Sequence, residues 1–187
     1  DWQTEKLNSC GKAVVNMEVR IASPDPHTIP GEIQVKGANV FLGYYKNEAA
    51  TKEVLTKDGW FKTGDMGILD AEGSLFIKGR TKCMILGPSG QNIYPEEVET
   101  VINSQPYVVD SLVVEDDGGL TALIYPDFPQ GARDGMNQDA FVKYIESTLP
   151  ELNKELPNYA KLKKIEVMSE DFERTPKKSI KRYLYQR

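Results

Sequence analysis

The stretch from Trp60 to Glu99 constrains the fold of this chain more than any other part of it. Two glycine-flanked polar residues, Asp65 and Arg80, are separated by a pattern typical of a strand, a turn and a second strand. A connector with Lys82 and a second glycine-rich loop follow, and the stretch ends in a helix start. A carboxylate, a guanidinium and flexible backbone in close succession suit a small polar ligand bound between moving parts.

The composition is that of an ordinary globular protein, with 40% hydrophobic and 27% charged residues among 187. The net charge of −5 argues against nucleic-acid binding, because phosphate affinity comes mostly from Lys and Arg. No apolar run approaches the roughly 20 residues that span a bilayer, although peripheral membrane contact remains possible. Two cysteines and one histidine predict no metal site and favour a cytoplasmic location.

Residues 1–80 show short apolar segments separated by turn signals, which predicts a small barrel or a distorted sheet. One short helix is predicted at 47–55, where Asn47 is a suitable N-cap. The predicted strands cover residues 14–21, 32–36, 60–62, 67–69 and 74–78. This part is expected to be the end of a larger domain.

Residues 81–187 alternate between strand and helix patterns, and we expect them to form a complete small domain. Pro95 fits the first position of a helix, and Asp116 to Gly119 is a strong β-hairpin signal. An apolar stripe over 141–156 predicts a helix that bends or restarts at Pro150. The predicted fold class is α+β: a barrel-like β part followed by a compact α+β domain with a mixed sheet.

Several polar residues suit ligand chemistry, and each also has a purely structural interpretation. Asp65, after Gly64, can accept hydrogen bonds from a vicinal diol such as ribose, or it can stabilise a local turn. Arg80 suits a diol, a phosphate or a carboxylate, but an Arg at a strand end also forms surface ion pairs. Lys82 lies where the pattern changes, as either a hinge residue or a solvated lysine.

Two further segments allow the same pair of interpretations. The loop 87–92 contains Gly90, which permits close approach of a ligand, and it also serves as an ordinary helix entry. The tail 174–187 contains no acidic residue. A mobile lysine there can stabilise charge that develops on a phosphate, or the tail is simply a solvated face.

In their order along the chain, four segments resemble the C-terminal third of the adenylate-forming superfamily, which includes acyl-CoA synthetases, peptide-synthetase adenylation domains and firefly-type luciferases. The segments read FLGYYKNEAATKEVLTKDGWFKTGD, FIKGRTKCMIL, SGQNIYPEEVE and FERTPKKSIKR. Within the superfamily they are most similar to bacterial long-chain fatty acid–CoA ligases.

The resemblance implies a role for several residues. Asp65 matches the residue that binds the ribose hydroxyls of the nucleotide, and Arg80 matches the arginine that assists it. Lys82 matches the hinge about which the small domain rotates. The loop on the CoA side is matched by Ser89, Gly90 and Gln91.

The resemblance also implies a two-step reaction that uses ATP, Mg²⁺ and CoA. The carboxylate of a fatty acid attacks the α-phosphate of ATP, which gives an acyl-adenylate and pyrophosphate. The thiol of CoA then displaces AMP. Two alternatives stay open: a carrier-protein thiol as the acceptor, and a non-catalytic interaction module that retains the fold.

The chain departs from the superfamily pattern in two respects. The usual catalytic lysine is replaced by Ser179, so Lys178 is the candidate for this role, with Lys177 beside it. The phosphate loop, the Tyr-Gly-x-Thr-Glu segment and a region able to house an acyl chain are absent from this sequence. We therefore expect a fragment that lacks the N-terminal domain of the same protein and has negligible ligase activity alone.

Overall fold

Two compact units make up the chain, Asp1–Cys83 and Met84–Arg187. The computed structural model describes residues 6–88 and 90–187. The first unit contains β1 (Met17–Ala22), β2 (Gly31–Gly37), α1 (Glu48–Val54), β3 (Phe61–Leu69), β4 (Leu75–Arg80) and a single 3₁₀ turn, Thr81–Cys83. The second unit contains β5 (Ile85–Leu86), β6 (Asn92–Ile93), α2 (Pro95–Asn103), β7 (Val108–Asp116), β8 (Gly119–Pro126), α3 (Phe128–Arg133), α4 (Gln138–Ser147), α5 (Leu149–Glu155) and β9 (Leu162–Val167).

The four strands of the first unit form an antiparallel sheet in the order β1-β2-β3-β4. Ile21, Ile33 and Met66 are its buried hydrophobic residues. Among the described residues, β1 and β4 lie at opposite edges of this sheet, so the sheet is open and not a closed barrel. The chain from β1 to β4 winds as a meander because each strand pairs with its neighbour in sequence.

Helix α1 begins where its sequence predicts. The side chain of Asn47 accepts a hydrogen bond from the backbone N–H of Ala50 at 3.0 Å. This bond satisfies one of the N–H groups that the first turn of a helix leaves without a partner. The predicted N-cap is therefore confirmed.

The second unit has a mixed sheet in the order β7-β8-β9. Strands β7 and β8 form the predicted antiparallel hairpin, and β9 pairs in parallel with β8. Asp117 and Gly118, the two residues between the hairpin strands, have φ angles of +49° and +70°. These positive values are typical of a type I′ turn, in which Asp-Gly is favoured. The α+β class is confirmed.

Both faces of this sheet are covered, each by a different part of the unit. One core cluster includes Val113 and Ile124 of the sheet and Ile102, Phe141 and Leu152 of the helices α2, α4 and α5. The other face is covered by the segment that follows β9. There Phe172, which is 3% exposed, packs with Leu112, Val114 and Leu123. Successive residues of β7 alternate between the two clusters, as the period of a strand requires.

Helices α4 and α5 divide the predicted apolar stripe at the expected position, since Pro150 lies in the first turn of α5. A proline is tolerated there because its missing N–H has no helical acceptor in any case. Within the described ranges, no helix has both the length and the apolar character needed to cross a membrane.

Candidate functional site

Asp65 and Arg80 lie directly opposite each other in β3 and β4. The Nε atom of Arg80 is 2.8 Å from Oδ1 of Asp65. The side chains are 29% (Asp65) and 64% (Arg80) exposed, so solvent reaches the pair. The two residues that the sequence singled out are thus joined in one ion pair at the end of β4.

Irregular pairing on both sides of β3 sets the position of Asp65. The register shifts between Glu32 and Gln34 on the β2 side and between Met66 and Gly67 on the β4 side. Gly64 has a φ of +76°, a conformation that glycine adopts without steric cost. The sequence predicted two strands with a break here, and the structure has one strand with a bulge. Bulges redirect side chains next to binding sites.

Thr63 fixes this bulge from within. Its hydroxyl donates to the carbonyl of Ile33 at 2.9 Å and accepts from the N–H of Asp65 at 3.1 Å. The backbone of Asp65 is therefore held by a residue of its own strand and by β2. Oδ2 of Asp65 has no hydrogen-bond donor among the described residues, so this oxygen is open to the hydroxyl groups of a ligand.

The other predicted residues lie at separate places. Lys82 is in the 3₁₀ turn at the end of the first unit and is exposed. Gly90 lies in the loop between β5 and β6, with a φ of +77° and open space where a side chain would be. The N–H of Gly87 donates to the carbonyl of Gln91 at 2.8 Å and closes this loop. Ser89 lies outside the described residues.

An open cavity of about 280 Å³ adjoins this loop within the second unit. Leu86, Pro88 and Tyr159 contribute to its lining, and Leu86 and Tyr159 are exposed. The glycine-rich loop is therefore accessible from one side.

Residues 174–180 form a short loop whose ends pair through an antiparallel bridge between Arg174 and Ile180. Two backbone hydrogen bonds of 2.8 Å close it, from Thr175 N–H to the carbonyl of Ser179 and from Lys178 N–H to that of Thr175. Lys178 has a φ of +64°, in the left-handed region. Lys177, Lys178 and Ser179 are all exposed at the tip. We call residues 174–180 the tail loop.

Arginines of the tail are bound to carboxylates, whereas the lysines at the tip are not. Arg174 pairs with Asp110 at 2.7 Å, Arg187 with Glu166, and Arg182 with Glu99. Neither Lys177 nor Lys178 has an ion pair with a carboxylate of the described residues. The arginines therefore attach the tail to the unit, and two cations remain available at its tip.

The sequence did not predict the contact between Glu99 and Arg182. Glu99 is only 7% exposed, and its Oε1 accepts from Arg182 Nη1 at 2.8 Å and from the N–H of Val113 at 2.7 Å. A second bond joins Nη2 of Arg182 to Oε2 of Glu99, giving a bidentate pair. Burial raises the pKa of Glu99, and Arg182 opposes that shift. The two residues are 83 positions apart, so no local spacing indicates their contact.

A comparison with known protein families decides the identity of the second unit. The family described as AMP-binding enzyme C-terminal domain matches residues 84–187. The chain belongs to this family. Three features described above lie within this AMP-binding enzyme C-terminal domain: the glycine-rich loop at Gly90, the pair of Glu99 and Arg182, and the tail loop.

Individual relatives of this AMP-binding enzyme domain are CoA ligases with different named substrates. The 2-succinylbenzoate–CoA ligase of Bacillus cytotoxicus is 41% identical over 117 residues, which is 61% of this chain and 24% of the relative. A long-chain-fatty-acid–CoA ligase of Mycobacterium tuberculosis is 31% identical over 197 residues, 95% of this chain and 32% of the relative. The chain therefore spans about a quarter to a third of the length of these relatives.

Among solved structures, the o-succinylbenzoate coenzyme A synthetase of Bacillus subtilis in complex with ATP and magnesium ion has a similar fold. The TM-score is 0.79 with 32% sequence identity, and the match covers 97% of this chain and 36% of that one. The likeness thus extends beyond the AMP-binding C-terminal domain into the unit that carries Asp65 and Arg80.

Proposed function

We propose that this chain is the C-terminal part of an ATP-dependent CoA ligase. In this proposal residues 1–80 are the end of the large adenylation domain, and residues 81–187 are the small mobile domain. The missing N-terminal part of the same protein completes the active site. The membership of residues 84–187 in the AMP-binding family supports this assignment.

One observation carries the proposal: Asp65 and Arg80 form an ion pair in a chain that matches an ATP-bound CoA synthetase over 97% of its length. The open oxygen of Asp65 is placed to accept hydrogen bonds from the ribose hydroxyls of ATP. Arg80 orients that carboxylate through the contact of 2.8 Å, and charged acceptors form the stronger class of hydrogen bond. Mg²⁺ enters with ATP as part of the substrate.

The reaction that fits these groups has two steps. In the first, a carboxylate oxygen of the substrate attacks the α-phosphorus of ATP, the bond to the bridging oxygen breaks, and pyrophosphate leaves. In the second, the thiol of CoA attacks the acyl carbon, loses its proton and displaces AMP. Rotation about Lys82 exchanges the faces of the small domain between the steps, and the loop of Ser89, Gly90 and Gln91 then lines the path of CoA.

Lys178 is the proposed catalytic residue of the first step. It lies at the exposed tip of the tail loop and has no carboxylate partner among the described residues. A lysine that is not held by a carboxylate can contact the phosphate of the substrate without first breaking an ion pair. Lys177 is its neighbour and the alternative, because Ser179 cannot carry a charge.

A long-chain fatty acid is the proposed substrate. The long-chain-fatty-acid–CoA ligase is similar to 95% of this chain, whereas the 2-succinylbenzoate ligase of B. cytotoxicus matches 61% of it. That wider sequence match supports the choice. The second relative has the higher identity over its shorter span, and the o-succinylbenzoate synthetase of B. subtilis matches 97% of the chain in structure, so succinylbenzoate is the competing substrate. Two alternatives compete with this proposal: a carrier-protein thiol as acceptor, and a non-catalytic module, which Ser179 favours.

Pyrophosphate exchange by the full-length protein tests the proposal. Purified protein is incubated with ATP, Mg²⁺, labelled pyrophosphate and, in turn, palmitate, 2-succinylbenzoate, indoleacetate or 4-coumarate. We expect exchange with palmitate, followed by palmitoyl-CoA formation when CoA is added. Exchange with one of the other acids and not with palmitate would identify that acid as the substrate in place of a long-chain fatty acid. Exchange with no acid would favour the non-catalytic module, and transfer only to a carrier protein would favour that acceptor.

The isolated chain offers a second test. Because most adenylate contacts lie on the missing part, we expect AMP to bind with roughly millimolar affinity, about −4 kcal/mol. NMR titration with AMP should shift signals near Asp65 and Arg80, and 2′-deoxy-AMP should bind more weakly. Equal shifts with both nucleotides would contradict a ribose contact.

A further inference from the structure

The contact between Glu99 and Arg182 joins three elements of the second unit. Glu99 lies in α2, Val113 in β7 and Arg182 two residues beyond the end of the tail loop. Strand β7 is an edge strand of its sheet, and the N–H of Val113 donates to Glu99 at 2.7 Å. One carboxylate therefore satisfies an edge-strand donor and a guanidinium at once.

The tail loop is held on both sides. At its start, Arg174 pairs with Asp110 at 2.7 Å. At its end, Ile180 packs against the cluster of Leu112 and Phe172, and Arg182 follows with its bidentate contact. The contact at the end is the more buried of the two, because Glu99 is 7% exposed. A buried charge that loses its partner is much more costly than an exposed one.

From this geometry we infer that Glu99 is a positioning residue: through Arg182 it holds the tail loop so that its lysines reach the reacting phosphate. The inference rests on the proposed function for its catalytic consequence. Glu99 itself touches no substrate. Its effect on the reaction comes from the placement of Lys177 and Lys178, and a small misplacement of a catalytic group is enough to slow a reaction about 100-fold.

Three variants separate the contact from general folding effects. Glu99→Gln keeps an oxygen for Val113 but removes the charge that binds Arg182. Because the loss of one partner of a half-buried ion pair can destabilise the unit, the double variant Glu99→Gln/Arg182→Gln replaces the pair by two neutral amides. Glu96, whose Oε1 is 3.7 Å from Nη2 of Arg182, is unchanged in both variants. The matched control is Asp117→Asn, which removes one charge from the exposed pair of Lys163 and Asp117 at 3.0 Å in the same unit.

Deuterium uptake by the chain measures the position of the tail loop directly. The N–H groups of Thr175, Lys178 and Lys181 are hydrogen-bonded in the backbone. In Glu99→Gln we expect about tenfold faster exchange in a peptide covering 175–181, with the sheet β7-β9 unchanged. Asp117→Asn should match the wild type. Unchanged exchange in both Glu99→Gln and the double variant would overturn the inference.

Pyrophosphate exchange by the full-length protein measures the catalytic consequence. We expect kcat to fall about 10- to 100-fold in the Glu99 variants while KM for ATP stays the same, since ribose binding lies at Asp65. A parallel loss in heat stability with an unchanged kcat would show a purely structural role and overturn it. An inactive wild type would refute the proposed function and the catalytic consequence together. The deuterium uptake of residues 175–181 would still decide whether Glu99 holds the tail loop.

Discussion

Arg80 approaches Asp65 through Nε at 2.8 Å, across the register of β3 and β4 and beside a bulge that Thr63 stabilises. Because Arg80 is mostly exposed, water screens the pair, and such surface pairs contribute about 0–1 kcal/mol to stability. The bulge and the hydrogen bonds of Thr63 therefore position Asp65 for an ion pair that contributes little to the stability of the fold. This difference allows function and folding to be tested separately.

Substitution of Asp65 by Asn should reduce adenylation far more than stability. Loss of a charged acceptor for the ribose should lower kcat/KM about 10- to 100-fold, which corresponds to about 1.5–3 kcal/mol. Pyrophosphate exchange by the full-length protein gives the rate, and thermal unfolding gives the stability. The control is Asp58→Asn, which breaks the comparable exposed pair with Arg20 at 3.1 Å. Equal activity in both variants would refute the role of Asp65.

Substitution of Lys178 by Gly should preserve or increase stability while it removes the proposed cation. A non-glycine residue at a φ of +64° costs on the order of 1 kcal/mol, which glycine relieves. Glycine also makes the unfolded chain more flexible, so the net gain lies between about 0 and 1 kcal/mol. Adenylation should fall about 100-fold.

Lys177→Ala is the comparison for this variant, because it removes a neighbouring charge of the same loop. If Lys177→Ala is inactive and Lys178→Gly is active, Lys177 and not Lys178 is the catalytic lysine. Full activity in both variants, and in the double variant, would show that neither lysine of the tail loop is catalytic.

The stability of the second unit should fall in acid partly through Glu166. Hydrogen bonds from Arg187 and Lys164 lower the pKa of Glu166 from 4.5 to about 2. A carboxylate with a lowered folded-state pKa contributes stability above its unfolded pKa, and that contribution is lost as the pH falls towards the folded value. The loss should therefore occur between about pH 4.5 and about pH 2.

Urea unfolding followed by circular dichroism across this pH range measures the loss. Glu166→Gln should reduce the slope of stability against pH, and Glu170→Gln, at an exposed position, should leave it unchanged. A Glu166 carboxyl signal that titrates near 4.5 in carbon-detected NMR would show that the pair with Arg187 does not form in solution.

Proline at position 82 tests the predicted hinge. Because proline fixes φ near −65°, Lys82→Pro should restrict rotation and remove one of the two half-reactions while the other remains. Lys82→Ala loses the charge but keeps rotational freedom, and it should retain both. Adenylation is followed by pyrophosphate exchange, and thioester formation by transfer from preformed acyl-adenylate to CoA. Two intact half-reactions in Lys82→Pro would place the hinge elsewhere.

Local signals in the sequence were sufficient for much of the fold. The cap at Asn47, the helix start at Pro95 and the turn at Asp117 each depend on residues close together, and all three are found as predicted. Helix α3 was missed because it is short and contains Gly131, a poor helix former. The break predicted at Gly64 was replaced by a bulge, since pairing with β2 and β4 keeps β3 continuous.

The candidate site was predictable only in part for the same physical reason. Asp65 and Arg80 flank one hairpin, so their proximity follows from the strand-turn-strand pattern. Glu99 and Arg182 meet through tertiary packing of α2, β7 and the tail, and no period or motif of the chain encodes that contact. The bidentate geometry is visible only when all three elements are in place.

The packing of Phe172 on Leu112, Val114 and Leu123 has a practical consequence for the study of this protein. Deletion of residues 172–187 would uncover one face of the sheet and expose contiguous apolar surface, which promotes aggregation. A truncated protein would thus be lost to precipitation before its chemistry was measured. Single substitutions at the tip of the tail loop avoid this outcome, because the lysines there are exposed and do not belong to the apolar cluster around Phe172.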